Sequence, residues 1–111
     1  MDEAIIDSER HVNRILLSYD VSGAIRRRAA RVCQIVFGYE QTVHRGGSAR
    51  TYRHPGFLGR PGARWVGQSV LLLKPADARE LERELHRLGV RVSVARISIR
   101  PSEAVAFRRR S

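Results

Sequence analysis

Asp20 closes the apolar run "RILLSYD", and a few residues later three consecutive arginines, Arg26, Arg27 and Arg28, open an amphipathic stretch that also carries Arg31. A carboxylate at the tip of a strand has two chemical uses. It can accept the backbone N–H two residues on and so hold a turn. It can also serve as a hard oxygen ligand for magnesium and a catalytic group, although one carboxylate is a poor magnesium site because the ion wants several oxygens. A symmetric dimer changes that arithmetic, since two copies of Asp20 would face each other across the axis and share the metal. The turn is the simpler use, and both stand as alternatives for Asp20.

The second constellation is a gap in negative charge. No Asp or Glu occurs from Gln41 to Ala76, while Arg45, Arg50, Arg53, Arg60, Arg64 and Lys74 do, with His44 and His54 among them. Tyr52, Phe57 and Trp65 are interleaved with these cations. Cations hold phosphates and exposed rings stack on bases, so a basic segment with aromatics suits nucleic acid. The competing reading packs Phe57 and Trp65 onto the core and leaves the arginines solvated.

Composition points the same way. The chain has 111 residues and a formal charge of +10, carried by 20 arginines and Lys74 against 11 acids. Such an excess repels itself unless a polyanion offsets it. A guanidinium forks onto phosphate oxygens and stacks on bases as an ammonium does not, although GC-rich coding would also convert lysine to arginine. The single cysteine, Cys33, excludes an internal disulfide and a cysteine-based zinc site, and its apolar helical setting predicts a core residue. His11, His44, His54 and His86 show no metal-ligand spacing. The acidic N-terminus has no apolar leader, and no run reaches the ~18 apolar residues of a spanning helix. The expectation is a soluble, cytoplasmic protein without a membrane partner.

The elements that must position these residues follow from periodicity. "RILLSYD" reads as a buried strand. Ser22 is a candidate N-cap for a helix whose Ile25, Ala29, Val32 and Val36 share one face, and Gly38 ends it. "YEQTVHR" reads as a second strand, residues 45–64 as a long basic loop or extended hairpin, and "RWVGQSVLLLK" as a third strand. "PADARELERELHRLG" is a helix with Asp77 as its cap, Leu81, Leu85 and Leu88 as its buried stripe and Gly89 as its stop. In "VRVSVARISIR" the valines and the isoleucines fall on opposite phases, which predicts a bulge near Ala95–Arg96. The tail 101–111 ends in three arginines that add non-specific attraction to phosphate. The order predicts one α+β domain over residues 1–111, a ferredoxin-like βαββαβ fold with a four-stranded antiparallel sheet and two helices on one face.

The segment "LLSYDVSGAIRRRAARV" resembles the start of the CRISPR-associated endonuclease family known as the second Cas protein. "RWVGQSVLLLKPADARELERELHRL" resembles the part of that family where a Gln-x-Ser-Val-like strand leads into the second helix. The related virulence-associated D ribonuclease toxins share the pattern. The resemblance implies a small dimeric ferredoxin-like protein that binds nucleic acid and in some members cleaves it with magnesium. It would make Asp20 the metal and catalytic residue, Tyr19 its neighbour, and Arg26 to Arg28 phosphate contacts. In the family the first helix passes almost directly into the Gln-x-Ser-Val strand, whereas "YEQTVHRGGSARTYRHPGFLGRPGA" intervenes here.

These observations predict a small, dimeric nucleic-acid-binding protein with contacts from Arg26, Arg27, Arg28, Arg31, Arg45, Arg50, Tyr52, Arg53, Arg60 and Arg64. The rivals are a magnesium-dependent endonuclease built on Asp20 and a structural subunit of a ribonucleoprotein.

Overall fold

Leu17 and Tyr19 alternate along the first strand and point to one side of it, as period-two geometry requires; both are buried. That strand, β1 (Val12–Asp20), anchors the architecture of a computed structural model that describes residues 9–107. The further strands are β2 (Gly38–Arg45), β3 (Ser48–Pro55), β4 (Arg64–Gly67), β5 (Val70–Leu73) and β6 (Arg91–Ile99). The helices are α1 (Arg26–Phe37), α2 (Pro75–Arg87) and the single turn α3 (Pro101–Ala104), with a 3-10 turn at Phe57–Gly59. The protein is α+β.

A four-stranded sheet in the order β4-β5-β1-β6, antiparallel throughout, forms the body. Leu17 and Tyr19 of β1 share their face with Leu71 and Leu73 of β5. Val32 and Val36 of α1, and Ala78, Leu81 and Leu85 of α2, join them in one core with Phe57, Leu58 and Val90. Each fully buried leucine contributes roughly 1.5–3 kcal/mol of apolar transfer, so this layer carries the stability. Gly38 and Gly89 end their helices with positive φ, as expected from their places in the sequence.

Several expectations are corrected. "YEQTVHR" is a strand, but it does not enter the main sheet. It pairs with β3 in a separate two-stranded sheet, so of the two readings of residues 45–64 the extended hairpin holds as far as Pro55, and the 3-10 turn and the start of β4 follow it. The physical reason is that this segment is polar on both phases and has no face to bury. "RWVGQSVLLLK" is two strands, because the chain reverses at Gln68 and Ser69, with Gln68 at φ +34°. The sheet therefore has four strands, and the chain as described has six.

Ser22 is not a helix cap, since α1 begins at Arg26, and Ile25 is 58% exposed rather than on the buried stripe. Cys33 is exposed, because it lies on the helix face turned away from Val32 and Val36. Asp77 lies inside the first turn of α2, after Lys74 and Pro75, and so does not cap it. No bulge interrupts β6; its register against β1 runs unbroken from Arg91 to Ile99. The change of phase has another cause. Val90 and Val92 pack towards the helical core, whereas Ile97 and Ile99 line a hollow with Glu103, Ala106 and Phe107 just after the strand. The covered face switches, not the backbone. Residues 101–104 are the α3 turn, with Ala104 buried, and Arg108 to Arg110 lie outside the described residues.

Candidate nucleic-acid interface

The β2–β3 pair projects as an arm. Gly46 and Gly47 make its two-residue turn at φ +54° and +82°, values that suit the primed turns that hairpins favour. Eight residues per strand give a length of roughly 26 Å. The molecule measures 68 × 34 × 21 Å, and its radius of gyration of 17.3 Å exceeds the ~13 Å of a compact 100-residue domain.

Register assigns the two faces of the arm. Tyr39 pairs with His54, Gln41 with Tyr52, Val43 with Arg50, and Arg45 with Ser48, so these eight residues share one face. Near its root, the Tyr39 and His54 rings stack with centroids 4.5 Å apart, and His54 Nε2 lies 3.1 Å from Gln41 Oε1. Towards the tip, Val43, Arg45, Ser48, Arg50 and Tyr52 line one shallow hollow, and Tyr52 is 45% exposed. On the other face the Thr42 and Thr51 hydroxyls meet at 3.2 Å, and Arg53 reaches Glu40 at 3.7 Å. The structure thus brings Arg45, Arg50 and Tyr52 together and turns Arg53 away from them.

The remaining site residues predicted from the sequence are placed elsewhere. Arg60 is held by the body. Its Nη1 donates to Asp77 Oδ1 and to Glu80 Oε1, each at 3.0 Å, and its Nη2 donates to Glu80 Oε2 at 2.8 Å. The guanidinium also lies 4.0 Å from the centroid of the buried Phe57 ring. The paired carboxylates, Glu80 foremost, push the Arg60 pKa further up, and the same hydrogen bond lowers that of Glu80. Phe57 and Trp65 pack on or against the core, as the competing reading had it, and the Trp65 indole donates to the Gln68 carbonyl. Arg64 is half-buried in β4, opposite Leu72.

Arg26, Arg27, Arg28 and Arg31 are all exposed on α1. Three of them occupy its first turn, which has no acidic residue and no side-chain cap. Cations there oppose the positive end of the helix dipole. Nearby anions would relieve this cost.

Asp20 is exposed at the end of β1, and its Oδ1 accepts the Ser22 N–H at 2.8 Å. The Ser22 hydroxyl and then its amide, with a smaller contribution from Arg91, hold the Asp20 carboxyl below its ordinary range. Arg91 is its partner across the β1–β6 ladder. Tyr19, one residue earlier, faces the core on the opposite side of the sheet. Among the described residues, no three His, Cys, Asp or Glu side chains gather where they could hold a metal ion. No described helix is long and apolar enough to cross a membrane.

Val43 and Ser48, which share the hollow with the two arginines, were missed at the level of sequence. The signal for them was the Gly46-Gly47 pair flanked by equal strand-forming segments, which fixes a hairpin register and hence the faces. Comparison with protein-family models, with curated proteins and with solved structures finds nothing that matches the chain.

Proposed function

We propose that this chain is a ferredoxin-like nucleic-acid-binding protein in which the β-arm, inserted between the first helix and the second strand of the sheet, makes the principal contact. The sheet order β4-β5-β1-β6, with a helix before β4 and another before β6, supports the fold assignment once the arm is set aside. One observation carries the function: an exposed arm face that holds Arg45, Arg50 and Tyr52 and has no carboxylate. The arm buries little of itself, and an isolated hairpin is marginal in water, so its side chains serve what lies outside the fold. The exposed arginines of α1 add a second source of attraction to phosphate. Asp20 has the geometry of a turn residue, which favours binding without cleavage over a magnesium endonuclease of the resembled type.

The test is affinity across a salt series. Each neutralised phosphate on duplex contributes about −0.9 to the slope of log affinity against log salt. The parent should show a steep slope, and the double variant Arg45→Ala/Arg50→Ala should bind more weakly at every salt concentration, with an unchanged melting temperature. A flat response, or no binding at low salt, would sink this reading.

A further inference from the structure

Resting on that reading, we infer that the ligand of the arm is double-stranded DNA and that the arm lies in its major groove. Three features of the arm select this partner over folded RNA or a single strand.

The first is shape. The arm is two strands wide, and the tip sequence Gly46-Gly47-Ser48-Ala49 adds almost no bulk. The major groove of B-form DNA, about 12 Å wide and 8.5 Å deep, admits a two-stranded ribbon as it stands, whereas the minor groove of about 6 Å must be widened at a cost in DNA deformation to take one. The major groove of A-form RNA is deep and too narrow for side chains to read. On a duplex, a ribbon of this kind therefore reaches the distinct base-edge pattern of the major groove only in DNA.

The second is the arrangement of donors. Arg45 and Arg50 stand on one face near the tip, where they can fork onto guanine O6 and N7 at the groove floor. Among the described residues neither strand of the arm has a second neighbour, so half of its amides point outward along the two edges. Those N–H groups are placed to donate to the phosphates that line the groove.

The third concerns single strands. Proteins that track a single strand use a series of exposed rings on which successive bases stack. The arm offers one such ring, Tyr52. Tyr39 is already stacked on His54, Phe57 is buried, and Trp65 packs against the core. A platform for consecutive bases is not present on this surface.

The experiment compares three probes of equal length and matched sequence, a DNA duplex, an RNA duplex and a single DNA strand, by fluorescence anisotropy at one low salt concentration. The DNA duplex should be preferred by about tenfold or more, the worth of one good bidentate base contact. Arg45→Ala/Arg50→Ala should erase the preference and leave weak binding to all three. At saturating protein, guanine N7 in the DNA duplex should be protected from dimethyl sulfate, since that atom faces the major groove. Equal affinity for the RNA duplex, tighter binding to the single strand, or unprotected N7 on a saturated duplex would overturn the inference and leave nucleic-acid binding standing. No binding to any probe would instead refute the function on which the inference rests.

Discussion

Gly38 and Gly56 meet backbone to backbone at the root of the arm. A Cβ on Gly38 would stand 2.6 Å from the His54 carbonyl oxygen and 2.7 Å from the Gly56 amide nitrogen. A Cβ on Gly56 would collide with the Gly38 nitrogen and the Val36 carbonyl oxygen. Helix α1 thus runs into β2 with no linker, and the returning strand crosses directly over the junction. This contact aims the arm.

Substitution at this crossing should therefore act on the whole fold. Gly56→Ala is expected to cost about 1–3 kcal/mol, the usual penalty for overpacking against atoms that cannot retreat. At Gly38 the left-handed φ of +87° adds backbone strain to the clash. Ala in place of Gly47 meets open space, so only its φ of +82° opposes it and the penalty should be confined to the arm tip. Thermal denaturation of the three variants checks the order, with Gly47→Ala closest to the parent.

Arg60 supplies the second prediction. A cation in a glycine- and proline-rich basic segment reads as solvated, yet here it ties the 3-10 turn to α2 through Asp77 and Glu80 and covers Phe57. Arg60→Ala should lower stability by about 1 kcal/mol, through lost packing as much as lost charge. In a domain of this size that is a fall of roughly 4–8 °C in melting temperature. Arg50→Ala, on the exposed arm, should leave the melting temperature within error and weaken nucleic-acid binding instead.

The contrast between Arg60 and Arg50 shows what could be read from the sequence and what could not. Elements with a clear apolar phase were readable, because burial demands it: "ILLSYD" in β1 and the Leu81–Leu85 stripe of α2 are in place. The antiparallel four-stranded sheet followed from these. The arm was harder, because a ribbon polar on both faces carries no burial signal, and only its Gly46-Gly47 turn marks it. The roles of individual arginines were harder still. Arg60 lies 17 and 20 residues from its carboxylate partners, and no local pattern announces a pair of that separation. Cys33 and Ile25 failed for related reasons: the buried stripe of α1 is narrower than its apolar residues suggest, which leaves Cys33 in solvent, and the helix starts one residue after Ile25.

Acid should reveal the Arg60–Glu80 pair. The Glu80 carboxyl is held below its ordinary value of 4.5 by the Arg60 hydrogen bond. A carboxylate with a depressed folded pKa stabilises the fold above its unfolded value, and that contribution is lost as pH falls through the folded one. Glu80→Gln should therefore melt below the parent at neutral pH, with the gap closing as pH drops below 4.5. Melting curves from neutral pH to acid decide it; a gap that persists in acid would show that the pair is not its source. Glu103, lowered by Arg100, titrates in the same sense, so the parent itself should lose stability over this range.

Asp20 offers the sharpest separation of roles. As a turn residue it needs only an oxygen that accepts the Ser22 N–H, and asparagine supplies one. Asp20→Asn should therefore keep the fold and should bind nucleic acid at least as well as the parent, because a negative charge near the phosphates is removed. Asp20→Ala removes the acceptor and should loosen the turn that leads into α1. Magnesium chemistry makes the opposite demand, since the ion requires the charge that asparagine lacks. The expected outcome is no magnesium-dependent cleavage by parent or variant, measured on labelled DNA and RNA with a chelator control. Cleavage by the parent that disappears in Asp20→Asn, with binding retained, would move Asp20 from the turn to the centre of a nuclease.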